Sequence, residues 1–116
     1  MKKEYRIKKN SEIDAIFKKK IYKSNSYYAI YQSSDPLMSH FRFAVSIGKK
    51  YGNAVNRNLS KRRIRMIVTE LSNKLKSDVC FVIVIKPKSK DLSYSDMKKN
   101  LTDLIKKSKL LENTDE

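Results

Sequence analysis

Asp78-Val79-Cys80-Phe81-Val82-Ile83-Val84-Ile85 is the stretch on which the fold turns, and Lys86-Pro87 closes it. Every residue after Asp78 is apolar, and most are β-branched. A strand with apolar side chains on both faces must be covered on both, which argues for a central or parallel position in a sheet. Upstream, the apolar period changes from two to three and four. Ile64, Ile67, Val68, Leu71 and Leu75 make one stripe, predicting a long helix over about residues 54–74. Downstream, Tyr94, Met97, Leu101, Leu104 and Ile105 repeat that spacing and predict a last amphipathic helix over about residues 93–111.

Farther upstream, residues 41–47 alternate strictly. Phe41, Phe43, Val45 and Ile47 lie on one face, with Arg42, Ala44 and Ser46 on the other. Residues 26–33 are rich in tyrosine and also favour a strand. Tyr28 and Ile30 face one way; Tyr27, Ala29 and Tyr31 face the other. Ser34-Asp35-Pro36 is a turn signal, so the natural reading joins these strands as a hairpin. A short helix begins at Asn10 or Ser11. Either residue can cap it, Asp14 completes a capping box with Ser11, and Lys18-Lys19-Lys20 closes it. A short extra strand fits near residues 21–24, and residues 48–53, with both glycines, form a loop before the long helix. The expected fold is α+β: a two-layer α/β sandwich of three helices on a mixed sheet of about four strands. One domain over residues 1–116 is expected, with its core at about 5–110 and a frayed polar tail at 112–116.

The chain carries 27 Lys and Arg against 12 Asp and Glu, a net charge of +15. Such an imbalance seeks a polyanion, nucleic acid first and an anionic membrane surface second. No apolar run is long enough to span a membrane, and no signal segment follows the N-terminus. Cys80 has no partner for an internal disulfide. A reducing, cytoplasmic location is the expectation.

The arginines localise the function better than the lysines do. Four of the six, Arg57, Arg62, Arg63 and Arg65, fall within nine residues. On a helix, Asn58, Lys61, Arg62 and Arg65 share one arc roughly 100° wide beside the apolar stripe. Arg57 lies at its core-side border and Arg63 points elsewhere. Like charges at this spacing repel by tenths of a kcal/mol per pair, and no acidic residue between Asn53 and Thr69 offsets them. Phosphates would. Lys49 and Lys50 stand just before the helix start, whose free amides also favour an anion. The strand face opposite the core offers Tyr31 beside small residues, with Phe17 as a wall, a surface suited to stacking unpaired bases.

The inventory argues against protein-borne cleavage. His40 is the only histidine, the acids are dispersed, and one Cys with one His makes no zinc site. The chain reads as a binder of nucleic acid that leaves the chemistry to another component.

Gly52-Asn53-Ala54-Val55-Asn56-Arg57-Asn58-Leu59-Ser60-Lys61-Arg62-Arg63-Ile64-Arg65 closely resembles the signature of the bacterial ribonuclease P protein family, whose core is Arg-Asn-x-x-Lys-Arg-x-x-Arg. The preceding residues 41–50, together with 6–10 and 17–18, are also similar to that family. The resemblance implies a ribosomal protein S5 domain 2-like fold with a left-handed βαβ crossover. It implies a small, monomeric protein that joins a large catalytic RNA to remove the 5′ leader of precursor tRNA, with magnesium (Mg2+) held mainly by the RNA and none by the protein alone. By match, Arg57, Asn58, Lys61, Arg62 and Arg65, with Lys49 and Lys50, contact the RNA. Ile13, Phe17, Tyr31, Ser46 and Lys50 line the cleft for the leader. Ile13 stands where the family often has an aromatic, Ala44 where it has glycine, and Met66 where it has an acidic or amide residue. Two alternatives stay open: a structural RNA binder such as a small ribosomal protein, and a nuclease acting alone.

Overall fold

A computed structural model describes residues 3–112, so the tail beyond Glu112 lies outside the described residues. Three α-helices and four strands follow in the order α1 (Asn10–Lys18), β1 (Tyr22–Ser24), β2 (Tyr28–Ser34), β3 (Arg42–Ile47), α2 (Ala54–Leu71), β4 (Val79–Ile85) and α3 (Tyr94–Lys107). The sheet order is β1-β2-β4-β3. β4 pairs antiparallel with β2 and parallel with β3, so the sheet is mixed.

The expected hairpin is not there: β2 and β3 are separated by β4. The cause is the apolar run itself. β4 has side chains to bury on both faces and takes an interior position, whereas β3 has one apolar face and accepts the edge. Because β3 and β4 run parallel, the chain needs a long crossover between them, and α2 supplies it.

α2 and α3 cover one face. Ile64, Ile67 and Val68 meet Leu101, Leu104 and Ile105 over Ile30, Phe43, Phe81 and Ile83 of the sheet, all nearly inaccessible to solvent. Phe43 and Phe81 are partners in register, their rings 5.7 Å apart. Leu110 and Leu111, after α3, fold back into this core behind Lys109, which has positive φ. α1 packs on part of the reverse face, where Ile16 meets Ile7 and Val82.

Local chemistry shifts several boundaries. α1 starts at Asn10, not with Asn10 or Ser11 as its cap. Ile7 N–H donates to the Phe43 carbonyl at 2.9 Å, fixing the approach, and the Lys9 carbonyl already accepts from Glu12 and Ile13. Ser11 therefore sits inside the first turn, where its hydroxyl cannot cap. The chain leaves α1 through Lys20 in the left-handed region. Tyr27 does not extend the platform. The Asn25 carboxamide accepts from both Tyr27 and Tyr28 N–H, making a turn that breaks the alternation, and Tyr27 packs against the main core. α2 ends at Leu71, and the residues expected to prolong it form a 3-10 turn, Ser72–Lys74. The loop before α2 contains a 3-10 turn, Lys49–Tyr51, with Tyr51 buried. Gly52 then has φ 155°, a conformation other residues avoid, and delivers Asn53 to cap α2 by accepting from Asn56 N–H at 2.9 Å.

Glu12 of α1 takes a two-point bond from Arg42 of β3, at 2.9 and 3.1 Å. The Arg42 hydrogen bond outweighs desolvation and holds the Glu12 carboxyl below its ordinary pKa of 4.5. A lowered carboxylate pKa contributes stability that is present above 4.5 and is lost as pH falls through the native value. The pair is partly solvated, so the contribution is modest. Glu12→Gln should lower the melting temperature at pH 7, and the gap to the parent should close toward pH 3. A gap that stays constant on acidification would show that the ion pair does not hold α1 to the sheet.

Candidate nucleic-acid interface

The expected basic stripe forms. Asn58, Lys61, Arg62 and Arg65 project along one side of α2 and line a groove of about 650 Å3 that runs on to Thr69 and Glu70. Spacings of three and four align them, since the helix turns about 100° per residue. Among the described residues, none of Arg57, Lys61, Arg62 and Arg65 forms an ion pair with a carboxylate. Glu70, at the groove's end, is engaged instead by Lys98 at 2.7 Å.

Sequence reasoning missed Arg6. It lines the same groove, brought there by pairing of the N-terminal segment with the β3 edge at Arg6 and Phe43. Burial first, then the Arg6 charge, pulls the Arg65 pKa below its ordinary value. Two guanidinium groups are thus held against their own repulsion, with the Arg6 Nε buried and lacking a partner among the described residues. A signal existed: outside the cluster in α2 only Arg6 and Arg42 remain, and Arg42 faces the sheet surface that α1 covers.

Arg57 does not line the groove. It is half-buried, with its Nε buried and without a partner among the described residues, because it falls only about 20° around the helix from Ile64. Lys49 and Lys50 are exposed in the turn before α2 and also stand outside the groove lining.

The second surface is the reverse face of the sheet. Register places Tyr22, Tyr31, Val82 and Ala44 in one row across the four strands, and Ser24, Ala29, Val84 and Ser46 in the next. Phe17, at the end of α1, meets the Tyr31 ring edge-on at 4.8 Å, and Tyr22 stacks on Tyr31 at 4.9 Å. Ile13 and Phe17 pack with Tyr31 and Ala44 around the small core beneath α1. Ser46 is half-buried one row on, and Lys50 follows the end of β3, exposed. Tyr22, 51% exposed, is an aromatic the sequence reading did not place here. A small pocket of about 110 Å3, touched by Arg6, Arg65, Ile13 and Ala44, links this face to the α2 groove.

No helix of the described residues is long and apolar enough to cross a membrane. Among those residues no three His, Cys, Asp or Glu side chains converge.

A cationic helix groove joined to an aromatic sheet face, on a small α+β frame, defines an RNA-binding protein. Comparison with known proteins narrows this. The ribonuclease P family profile matches residues 1–109. The ribonuclease P protein component of Acholeplasma laidlawii is 46% identical over 97% of this chain and 96% of its own length. That of Levilactobacillus brevis is 41% identical over 97% and 95%. The solved RNase P protein of Staphylococcus aureus superposes with a TM-score of 0.87 at 30% identity, covering 93% of this chain and 98% of that one. The chain belongs to the ribonuclease P protein family, and its role is that of the protein subunit in tRNA processing.

Proposed function

We propose that α2 docks this subunit on the catalytic RNA of ribonuclease P, and that the aromatic face receives the 5′ leader of precursor tRNA. Asn58, Lys61, Arg62 and Arg65 take RNA phosphates in the groove. Arg57 supports the stripe from its core side, and Lys49 and Lys50 extend the positive field toward the helix start. Ile13, Phe17, Tyr31, Ser46 and Lys50 bind the single-stranded leader by stacking and by charge. The observation that carries this reading is the groove of clustered cations, none of them in an ion pair with a carboxylate among the described residues. Self-repulsion there is relieved when phosphates enter and counterions leave.

The cut itself is assigned to the RNA, as endonucleolytic hydrolysis that frees the mature tRNA 5′ end. The dispersed acids and single histidine of this chain support that division. Magnesium (Mg2+), in this reading, is held by the RNA. The protein positions substrate, in the cytoplasm, as a monomer before assembly.

Reconstitution tests the proposal. The full chain, added to a bacterial ribonuclease P RNA at moderate magnesium, should speed leader removal and tighten precursor binding. No gain in either would refute it, and cleavage by rigorously RNA-free protein would refute the assignment of chemistry to the RNA. Tyr31→Ala should narrow the affinity difference between leader-bearing precursor and mature tRNA by roughly fivefold or more, since one stacked base contributes about 1–3 kcal/mol. An unchanged difference in Tyr31→Ala would remove the leader from this face.

A further inference from the structure

The cations of α2 do not all belong to one groove. Arg63 lies about 160° around the helix from Arg65. There it lines a separate recess of about 280 Å3, formed where α2 meets the Lys49–Tyr51 turn and the Pro87–Asp91 turn. Leu59 and Met97 give this recess apolar walls. Arg63 and Lys90 supply positive charge, and Asp91 is its only carboxylate among the described residues.

Three observations distinguish it from an ordinary seam between packed elements. Ser60, 3% exposed, is one of the residues around the recess, and its hydroxyl is buried with no hydrogen-bond partner among the described residues. Such a group is costly until something bonds it. Arg63 is half-buried and forms no ion pair with Asp91, although both face the same space. Leu59, also around the recess, leaves 39% of its surface open.

A ligand that satisfies all of this has a flat apolar body, an anionic end, and polar edges that both donate and accept. A nucleotide unit of RNA fits. Its base packs against Leu59 and Met97, and its phosphate meets Arg63 and Lys90. Ser60 bonds a polar edge, and Asp91 accepts from an amino group or the ribose 2′-hydroxyl. We propose that this recess takes one unstacked nucleotide of the catalytic RNA, a second contact on the flank of α2 away from the motif stripe. The helix is then held between two RNA segments. The proposal rests on the reading of this chain as the RNA-bound subunit.

The test uses the full chain with a bacterial ribonuclease P RNA, salt-dependent binding, and chemical probing at nucleotide resolution. Arg63→Gln/Lys90→Gln and Ser60→Ala are compared with Arg62→Ala/Arg65→Ala. The parent should shield the base of one unpaired nucleotide, in addition to the footprint of the stripe. The Arg63/Lys90 variant should lose that shielding, keep the stripe footprint, and bind roughly tenfold more weakly near 0.1 M salt. Ser60→Ala should weaken the shielding and leave the salt slope unchanged. Parent-like binding and probing in the Arg63/Lys90 variant, with loss in the Arg62/Arg65 variant, overturns the second contact alone. Weakened binding with no base shielded by the parent reduces the recess to diffuse charge and also overturns it. Loss in neither variant overturns the RNA-binding reading beneath both.

Discussion

Arg62→Ala/Arg65→Ala should bind the catalytic RNA one to two orders of magnitude more weakly than the parent near 0.1 M salt, with the deficit shrinking toward 1 M. Each phosphate a protein neutralises contributes about 0.7–0.9 to the slope of log affinity against log salt. Losing two contacts should flatten that slope by roughly 1.5, because fewer counterions are released. Arg62 is exposed and Arg65 is half-buried, and neither is tied to a carboxylate among the described residues. The fold should therefore tolerate the change. Arg65 is also held beside Arg6 against repulsion, so its removal relieves an unfavourable term in the free protein. The melting temperature should stay near that of the parent while affinity falls. Equal slopes for parent and variant would mean that the groove does not hold phosphates. A large drop in melting temperature would mean that Arg65 is a packing residue and the binding loss is indirect.

The stripe was legible in the sequence because a helix converts spacing directly into direction. Once residues 54–71 are helical, the angular positions of Asn58, Lys61, Arg62 and Arg65 follow, and so does the separation of Arg63 from them. The apolar alternation of β3 and the apolar run of β4 were readable for the same reason. What escaped depends on contacts distant in sequence. Strand order is one case: local turn chemistry at residues 34–36 suggested a hairpin, but burial of β4 on both faces outweighed it. Arg6 is another, since nothing near it in sequence indicates that Ile7 bonds Phe43 and carries the side chain to α2. Tyr22 joins the aromatic row only through its register with Tyr31. The Ser60 recess needed three elements from separate parts of the chain, and its serine looks unremarkable in the sequence.

Phe81→Ala should cost about 3–5 kcal/mol, the usual range for emptying a large aromatic site in a core. Phe81 is fully buried on interior strand β4, with Phe43 and Phe41 rings 5.7 and 6.4 Å away. Its neighbours belong to β2, β3 and the helical layer, so no single loop can collapse into the gap. Domains of this size are stable by about 5–15 kcal/mol, and the loss should lower the melting temperature by roughly 15–30 °C. Val84→Ala is the matched control on the same strand. Val84 points to the reverse face, is half-buried, and forms the floor between Ala29 and Ser46. Its truncation should cost about 1 kcal/mol or less, because less area leaves contact. The functional order should invert. Val84→Ala, still folded, should alter the preference for leader-bearing precursor, whereas Phe81→Ala, measured cold enough to be folded, should retain it. Urea unfolding of both variants and their paired affinities for precursor and mature tRNA decide the matter. Similar stability losses would mean that β4 does not divide a packed core from a binding floor, and the separation of fold and site along that strand would fail.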